Sequence, residues 1–216
     1  MKWLTVLVAA MGLLWAESCG EAPKAATLYE VSSAGVTVND QPAKAQQKIG
    51  VSDRVVVASK GAFARLLLSD GTKIFLLPDD KIGETRFTLD KYTQDGSTRQ
   101  VLLRLMQGVV TLLVPKNRPK GDILEVQASF TTTAIRGTEL KITSSPEGDT
   151  IALKEGSVEV RSNKDPAKTQ TVSIGEQVRF DAKTSLLSKS TYNPFDNAES
   201  ALFRDSGVPV RTTIEQ

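Results

Sequence analysis

Carboxylates are the side chains of this sequence that could most readily do chemistry. Asp79 and Asp80 are adjacent and follow a proline, and Glu125 and Glu139 form a second candidate pair. Paired carboxylates can hydrolyse glycosides when they stand about 5 to 10 Å apart across a cleft, and two aspartates could help to bind calcium. Adjacent aspartates after a proline are more typical of a turn, and the ordered ligand spacing of calcium loops is absent. Asp79 and Asp80 therefore favour a turn over a site.

The composition argues against an enzyme. The chain has no histidine, which removes the usual general base near neutral pH, the Ser-His triads and the commonest metal ligand. It has no G-x-S-x-G elbow, and with aromatic residues at only 6% there is little to stack sugar rings against. We therefore predict that the protein is not an enzyme, has no catalytic residues and binds neither a cofactor nor a metal.

The charge is nearly balanced, at a formal net value of +2. A balance of this kind gives no strong attraction to nucleic acid, so no nucleic-acid partner is expected. The densest basic group, Lys116, Arg118 and Lys120, lies among prolines and glycine in PKNRPKGD. We expect this group to form a solvated turn.

The N-terminal residues have the features of an export signal. Lys2 precedes the apolar stretch 3–15, which is too short to span a bilayer, since a spanning helix takes about 20 residues. Ala16 and Ser18 are small residues of the kind a signal peptidase accepts, and the lone cysteine, Cys19, follows at once. This arrangement resembles the lipobox of bacterial lipoproteins, in which the cysteine carries the lipid. An ordinary secretory cleavage after Ala-Glu-Ser is the alternative.

The export signal sets the predicted domain boundaries. We expect a signal peptide over 1–18, a flexible tether over 19–27, an all-β domain over 28–185 and a C-terminal tail over 186–216. A single cysteine forms no internal disulfide, so stability must come from a hydrophobic core. The tail is mostly irregular by sequence and either docks partly through its aromatic residues or is disordered.

Asp70-Gly71 is a strong signal for a two-residue hairpin turn, because both central positions of that turn favour positive φ. Folding about it places Leu67 opposite Ile74. Both faces of the resulting hairpin are largely apolar, which predicts that it is covered on two sides.

A second hairpin is predicted about Gly108, where folding places Leu105 opposite Val110. Turns at Glu147-Gly148 and Glu155-Gly156 then predict a meander in which Leu153 faces both Ile142 and Val158. Two last candidate strands, TVSI and EQVRFD, lie on either side of Gly175. Short strands at this spacing, without a convincing amphipathic helix between residues 28 and 181, predict an all-β fold: an antiparallel sandwich or roll of short hairpins.

The segment TTTAIRGTELKI breaks the alternation of its strand. Ile135 lies at an odd position whereas Leu140 lies at an even one, so the inward phase slips across Arg136-Gly137. We expect a β-bulge with Gly137 at positive φ, and Arg136 paired with Glu139, Glu125 or Glu159. The motif of Arg136, Gly137, Thr138 and Glu139 is then a structural corner, or alternatively presents Arg136 to a partner.

Five motifs in order resemble the FecR domain of bacterial envelope proteins. They are a DGT turn at Asp70, a central glycine at Gly108, the I-R-G-T-x-hydrophobic segment 135–140, an EGxVxV hairpin 155–160 and a GEQ turn at Gly175. The best-known members of this family are anti-sigma regulators, with a cytoplasmic domain and a transmembrane helix before the FecR domain. Here the resemblance begins near residue 55, so we expect the exported FecR module alone.

The resemblance and the sequence together predict a non-catalytic envelope protein, periplasmic or on the outer membrane, lipid-anchored through Cys19. We expect it to bind an unidentified envelope protein or peptide through a sheet edge or face. The alternative is a structural or adhesive surface lipoprotein that binds polysaccharide or host material.

Overall fold

The structure is a computed structural model that describes residues 24–78 and 81–192. All regular elements of the described residues are β-strands, so the predicted all-β class is confirmed. Within the same residues, no helix is both long enough and apolar enough to cross a membrane.

Nine strands lead to the middle of the chain. They are β1 (Lys24–Val31), β2 (Val36–Val38), β3 (Gln41–Pro42), β4 (Gln47–Gly50), β5 (Arg54–Val57), β6 (Ala64–Leu68), β7 (Lys73–Leu77), β8 (Thr85–Asp95) and β9 (Thr98–Leu113). Eight strands follow. They are β10 (Ile123–Gln127), β11 (Thr131–Ala134), β12 (Glu139–Ser145), β13 (Gly148–Glu155), β14 (Ser157–Ser162), β15 (Thr169–Ser173), β16 (Glu176–Asp181) and β17 (Leu186–Thr191).

The strands pair into two sheets that share β9. Sheet A has the order β4-β1-β6-β7-β9-β12-β13-β16-β17. Sheet B has the order β3-β2-β5-β8-β9-β10-β11-β14-β15. Every pairing is antiparallel except β9 with β10, which is parallel. The chain passes repeatedly from one sheet to the other, so neighbours in sequence often lie in different sheets.

One hydrophobic core is built by both sheets. Alternation along the strands selects the buried side chains: in β12, Leu140 and Ile142 are buried while Lys141 and Thr143 are partly exposed. The same period-two pattern in β10 and β14 buries residues of sheet B, such as Val126. Buried residues of the two sheets form a single contact cluster. Since one cluster serves both sheets, the described strands behave as one folded unit.

The hairpin at Asp70-Gly71 forms, but its register differs by one residue from the prediction. Leu66 lies opposite Ile74, where we expected Leu67. The Leu68 N–H donates to the Thr72 carbonyl at 2.9 Å, so three residues form the loop instead of two. A three-residue loop shifts every pair by one position relative to a two-residue turn.

The predicted hairpin about Gly108 is wrong, because β9 runs through this residue without reversing. Before Gly108 the strand pairs with β8 and β10 in sheet B, and after it with β7 and β12 in sheet A. Gly108 has a φ of 97°, and a Cβ there would lie 2.0 Å from the Thr85 hydroxyl oxygen. Glycine therefore serves a bend between two sheets and a close approach of β8, not a turn.

The predicted meander is correct for one of its two turns. β12 and β13 form a hairpin, although the turn lies at Pro146-Glu147 and Ile142 pairs with Ile151. β13 and β14 do not pair, since the chain leaves sheet A and enters sheet B at Glu155-Gly156. Leu153 and Val158 are therefore in different sheets, and the expected pair between them is wrong.

Both ends of the all-β domain extend beyond the expected boundaries. β1 begins at Lys24 and pairs with β4 and β6, so residues 24–27, expected in the tether, belong to sheet A. Ala25 and Ala26 are buried there, which explains why small apolar residues occupy this stretch. At the other end, residues 186–191, expected in the tail, form β17. The rest of the predicted tail, 193–216, lies outside the described residues.

Candidate functional site

The corner between β11 and β12 holds the motif that the sequence singled out. The chain leaves sheet B after Ala134 and enters sheet A at Glu139, so the change of inward phase marks a change of sheet instead of the expected bulge. Gly137 has a φ of 62°, and a Cβ there would lie 3.0 Å from the Cα of Lys116. The crossing chain and the segment after β9 therefore pack closely at this corner.

The four residues of the motif have different surroundings. Thr138 is buried, and its carbonyl accepts a hydrogen bond from the Val114 N–H at 2.9 Å. Glu139 binds the Lys154 ammonium at 2.7 Å. Arg136 is exposed. The motif thus combines a buried corner with one side chain that faces solvent.

The ion pair predicted for Arg136 is not formed with any described residue. Glu139 is engaged by Lys154, and Glu125 accepts from Arg161 at 2.8 Å. Lys154 lies on β13, next to the β12 strand of Glu139, and Arg161 of β14 reaches Glu125 of β10 across β11. Arg136 lies beyond the end of β11. Both carboxylates therefore have their ion partners on strands of their own sheet, and neither pairs with the corner residue.

Arg136 lines a shallow groove on the outer face of sheet B, which we call the Arg136 groove. The groove has a volume of about 390 Å³. Its exposed members are Ile123, Arg136, Ser157, Glu159 and Thr171.

Glu159 is the second charged group exposed in this groove. It lies between Ala134 of β11 and Thr171 of β15, and neither neighbour is charged. No described cation lies within ion-pair distance of its carboxylate. Arg136 and Glu159 thus border the same groove with opposite charges and without a direct ion pair between them. Both are available to an external partner.

The outer edge of β17 is a second candidate surface. The Tyr192 N–H, just after this strand, points to β16 and donates to the Gly175 carbonyl at 2.7 Å. Backbone groups alternate in direction along an antiparallel strand, so those of Leu187, Lys189 and Thr191 point away from β16. No other described strand pairs with this side of β17. Within the part of the chain that the structure describes, this edge therefore has backbone donors and acceptors without partners.

A larger groove, of about 850 Å³, lies over the outer face of sheet A. Phe63, Leu77 and Val109 contribute apolar surface to it, and Lys141 and Arg179 contribute cations. The loop between β7 and β8 forms part of its wall, and this loop includes the two undescribed residues 79 and 80.

The basic turn predicted at Lys116, Arg118 and Lys120 is wrong for its central member. The Arg118 side chain is only 2% exposed and lies 3.1 Å from Asp70 and 3.6 Å from Asp122. Lys116 and Lys120 are exposed as expected, and Lys116 pairs with Glu155. The buried arginine fixes the segment after β9 against the DGT turn.

Arg118 has a buried cluster of charges around it. Asp122 accepts from the Arg99 backbone N–H at 2.8 Å and from the Arg99 guanidinium at 3.1 Å. Asp70 also caps its own turn by accepting from the Thr72 N–H at 2.8 Å. The cluster balances two arginines against two aspartates. It serves the fold, and Asp70 of the predicted turn motif belongs to it.

Asp149 is a buried carboxylate that the sequence analysis did not select. Its Oδ2 accepts from the N–H groups of Phe130 and Thr131, each at 2.8 Å, and its Oδ1 accepts from the Ser144 hydroxyl at 2.7 Å. Burial raises the pKa of Asp149, and the hydrogen bonds oppose that shift. The sequence feature that could have identified Asp149 is an acidic residue at an inward-facing position of a predicted strand.

The other candidate residues carry no site in the described chain. Glu125 and Glu139 lie in different sheets, each bound to its own cation, so they do not form the catalytic pair that was considered. The described residues contain no group of three or more metal-binding side chains. Gly71 lies in the hairpin loop between β6 and β7, and Gly156 and Gly175 lie where the chain crosses from one sheet to the other. Cys19, Asp79 and Asp80 lie outside the described residues.

Comparison with known proteins adds a family and a fold. Residues 53–159, from β5 into β14, match the family described as FecR protein. A crystal structure of a candidate anti-sigma factor from Parabacteroides distasonis at 2.50 Å resolution aligns with a TM-score of 0.52 and 17% identity. A second structure with the same description, at 1.65 Å resolution, gives 0.50 and 17%.

The structural likeness is partial in length. The alignments cover 65% and 64% of this chain, and 61% and 60% of the two solved chains. This chain therefore spans about three-fifths of the length of those proteins. No curated protein matches the sequence. At 17% identity the likeness concerns the fold alone.

Proposed function

Because this chain belongs to the FecR family through residues 53–159, we propose that it is a non-catalytic binding module of the bacterial cell envelope. The proposed ligand is an extended peptide segment of another envelope protein. The open edge of β17 is the observation that carries this proposal. A peptide that adds to this edge extends sheet A by one strand.

The edge offers main-chain bonds at alternate residues. Leu187, Lys189 and Thr191 direct N–H and carbonyl groups away from β16, so a paired peptide would form hydrogen bonds with each. All residues of β17 except Leu187 are exposed. Affinity from main-chain groups requires no catalytic constellation in the binding protein.

Lys189 disfavours self-association of this edge but permits the binding of a different peptide. A lysine on an edge strand discourages pairing between identical edges, because two like charges would meet. The Lys189 ammonium is directed to Glu176 of β16 at 2.9 Å, while its backbone N–H points outward. A peptide whose own side chains are uncharged or acidic at the facing position avoids the repulsion.

Proline substitution at Lys189 tests the proposal. Lys189→Pro removes an outward N–H that the sheet does not use, and proline is tolerated on edge strands for this reason. Lys189→Ala is the matched control, since it also removes the ammonium and its pair with Glu176 but keeps the N–H. Equal melting temperatures of the two variants would establish that the fold is intact in both.

The readout is crosslinking in detergent-solubilised envelopes of the producing cells. We expect wild type and Lys189→Ala to recover one stoichiometric protein partner, and Lys189→Pro to recover at least about tenfold less. Recovery of the partner by the proline variant would refute strand addition at β17. Retention on polysaccharide or wall material without a protein partner would support the alternative of an adhesive or structural lipoprotein.

We also propose that the protein is exported and held to a membrane by a lipid on Cys19, on the basis of the N-terminal sequence. Each buried methylene of such a lipid contributes about 0.8 kcal/mol, so several chains hold a protein firmly. Cys19→Ala should release the protein into a soluble fraction. If the variant stays in the membrane pellet as the wild type does, the anchor is wrong.

A further inference from the structure

We propose that the Arg136 groove is a contact between two copies of this chain related by a two-fold axis. In this contact, Arg136 of each copy pairs with Glu159 of the other, and the exposed Ile123 side chains pack near the axis. The inference is independent of the peptide edge at β17, which lies in sheet A.

The charges of the groove are self-complementary. Arg136 is a cation without a described ion-pair partner, and Glu159 is a carboxylate without one, yet both border the same groove. A two-fold axis brings the same surface patch of each copy face to face, so residue i meets residue j and residue j meets residue i. One cation and one anion in a patch then form two equivalent ion pairs.

The rest of the outer face of sheet B explains why these two charges are distinctive. Its carboxylates Asp90 and Glu125 are bound to Arg104 of the adjacent β9 and to Arg161 of β14, respectively. Glu159 has only uncharged cross-strand neighbours, as described above. On β10, β11, β14 and β15, the strands that contribute to the groove, Glu159 is therefore the one charged side chain without an ion pair to a described residue, and Arg136 is the unpaired cation beside it.

Ile123 supplies the apolar part of the contact. Its side chain is 48% exposed, although it begins a strand whose next residue, Leu124, is buried. It lies in the same groove as the two unpaired charges. An exposed apolar side chain between charged groups matches the organisation of interfaces, in which an apolar centre is surrounded by polar groups.

Charge reversal gives a specific test of this symmetry. We would measure self-association by sedimentation velocity over a range of protein concentrations. Every chain would carry Cys19→Ala, so that neither lipid nor detergent contributes to association. Arg136→Glu and Glu159→Arg each place like charges opposite one another, and each should raise the dimer dissociation constant by about tenfold or more. Lys168→Glu, at an exposed loop position, is the control and should leave the constant unchanged.

Mixing the two reversed variants is the decisive measurement. A copy with Arg136→Glu has two acids in the groove, and a copy with Glu159→Arg has two arginines. Neither should pair with itself, but the mixture should form a heterodimer. The double variant Arg136→Glu/Glu159→Arg should also pair with itself again, because both ion pairs are restored with the charges exchanged.

Three results would overturn the proposal: a wild-type protein that stays monomeric at millimolar concentration, single variants that associate as the wild type does, or a mixture that does not associate. Melting temperatures would show whether the variants fold, which we expect because both side chains are exposed. If a charge-reversed chain fails to fold, Arg136→Gln and Glu159→Gln replace the reversals. Each should then weaken the wild-type dimer, and unchanged association would refute the contact.

Discussion

Asp149 of β13 accepts two hydrogen bonds from Thr131 of β11, one from its N–H at 2.8 Å and one from its hydroxyl at 2.9 Å. These bonds join sheet A to sheet B through a carboxylate that is 0% exposed. Burial raises the pKa of this carboxyl above its ordinary value. The folded protein therefore holds the Asp149 proton more tightly than the unfolded chain does.

Asp149→Asn should remove one component of the pH dependence of stability. A group with a raised folded-state pKa contributes most to stability at low pH, and that contribution falls as the pH rises from its unfolded pKa through its folded pKa. The variant should cost about 1 kcal/mol at pH 4, from weaker hydrogen bonds, and the difference from wild type should narrow toward about pH 7. Urea denaturation across this pH range measures the free energy of unfolding of the variant and of the wild type.

The control for this comparison is Asp95→Asn, an exposed aspartate near the end of β8. Its free energy of unfolding should stay within about 0.5 kcal/mol of the wild-type value, because substitutions at exposed positions cost little. Asp181 and Glu176 have pKa values lowered by hydrogen bonds and by Lys189 respectively, and they act with the opposite sign, but they are unchanged in both proteins. Parallel profiles for Asp149→Asn and wild type would contradict the predicted shift.

Gly108→Ala should be far more costly than alanine at another glycine of positive φ. The new Cβ would meet the Thr85 backbone as well as its side chain, with 2.5 Å to the Cα. Strain and overpacking together should cost about 2 to 6 kcal/mol. Gly96→Ala is the matched control: its φ is 56° but nothing lies within 4 Å, so about 1 to 3 kcal/mol is expected. Equal losses in thermal denaturation would mean that the close approach is unimportant.

Gly137→Val should lower stability while Arg136→Ala should not. The valine meets positive φ and the Lys116 backbone at once, at a cost of at least about 1 to 3 kcal/mol. Arg136 is exposed without a described partner, so its removal should change stability by less than about 0.5 kcal/mol. Melting temperatures compare the two. A Gly137→Val protein that melts like wild type would show that this corner tolerates a side chain.

Arg118→Met should destabilise the protein strongly, because it leaves Asp70 buried without its cation. Removal of one member of a buried pair costs about 3 to 5 kcal/mol. Adding Asp70→Asn to this variant should recover part of the loss, since the remaining group is then neutral. The exposed pair Arg54 and Asp40 provides the comparison, and Arg54→Ala should cost about 0 to 1 kcal/mol. Equal losses for the two arginines would mean that burial of Arg118 is not energetically important.

The sequence identified the positions at which the backbone must take an unusual conformation. Gly71, Gly108 and Gly156 were expected at turns, and each has a positive φ. Only Gly71 belongs to a hairpin loop, whereas the other two carry the chain between sheets. A glycine at positive φ serves both purposes, and the difference depends on which distant strand pairs with the following residues. Local sequence does not contain that information.

The candidate site was predicted only in part for a similar reason. The slip of inward phase drew attention to Arg136, but two of its three proposed ion partners, Glu125 and Glu139, pair with cations of other strands. The third, Glu159, borders the same groove without an ion pair to Arg136. Arg118 was assigned to a solvated turn because it lies among prolines and glycine, yet it is buried against Asp70, which is distant in sequence. In this fold, ion pairs form between residues of different strands. The register of strand pairing therefore decides which charged side chains find a partner, and the local sequence does not show that register.

Strand β9 has a consequence for the order in which this molecule comes apart. Its residues pair with β7 and β12 on one side of the bend and with β8 and β10 on the other. Neither sheet can separate from β9 without losing pairs near the middle of its own strand order, so peripheral strands should open first and the two sheets should melt together. In native-state hydrogen exchange, the paired amides of residues 98–113 should exchange only through global unfolding.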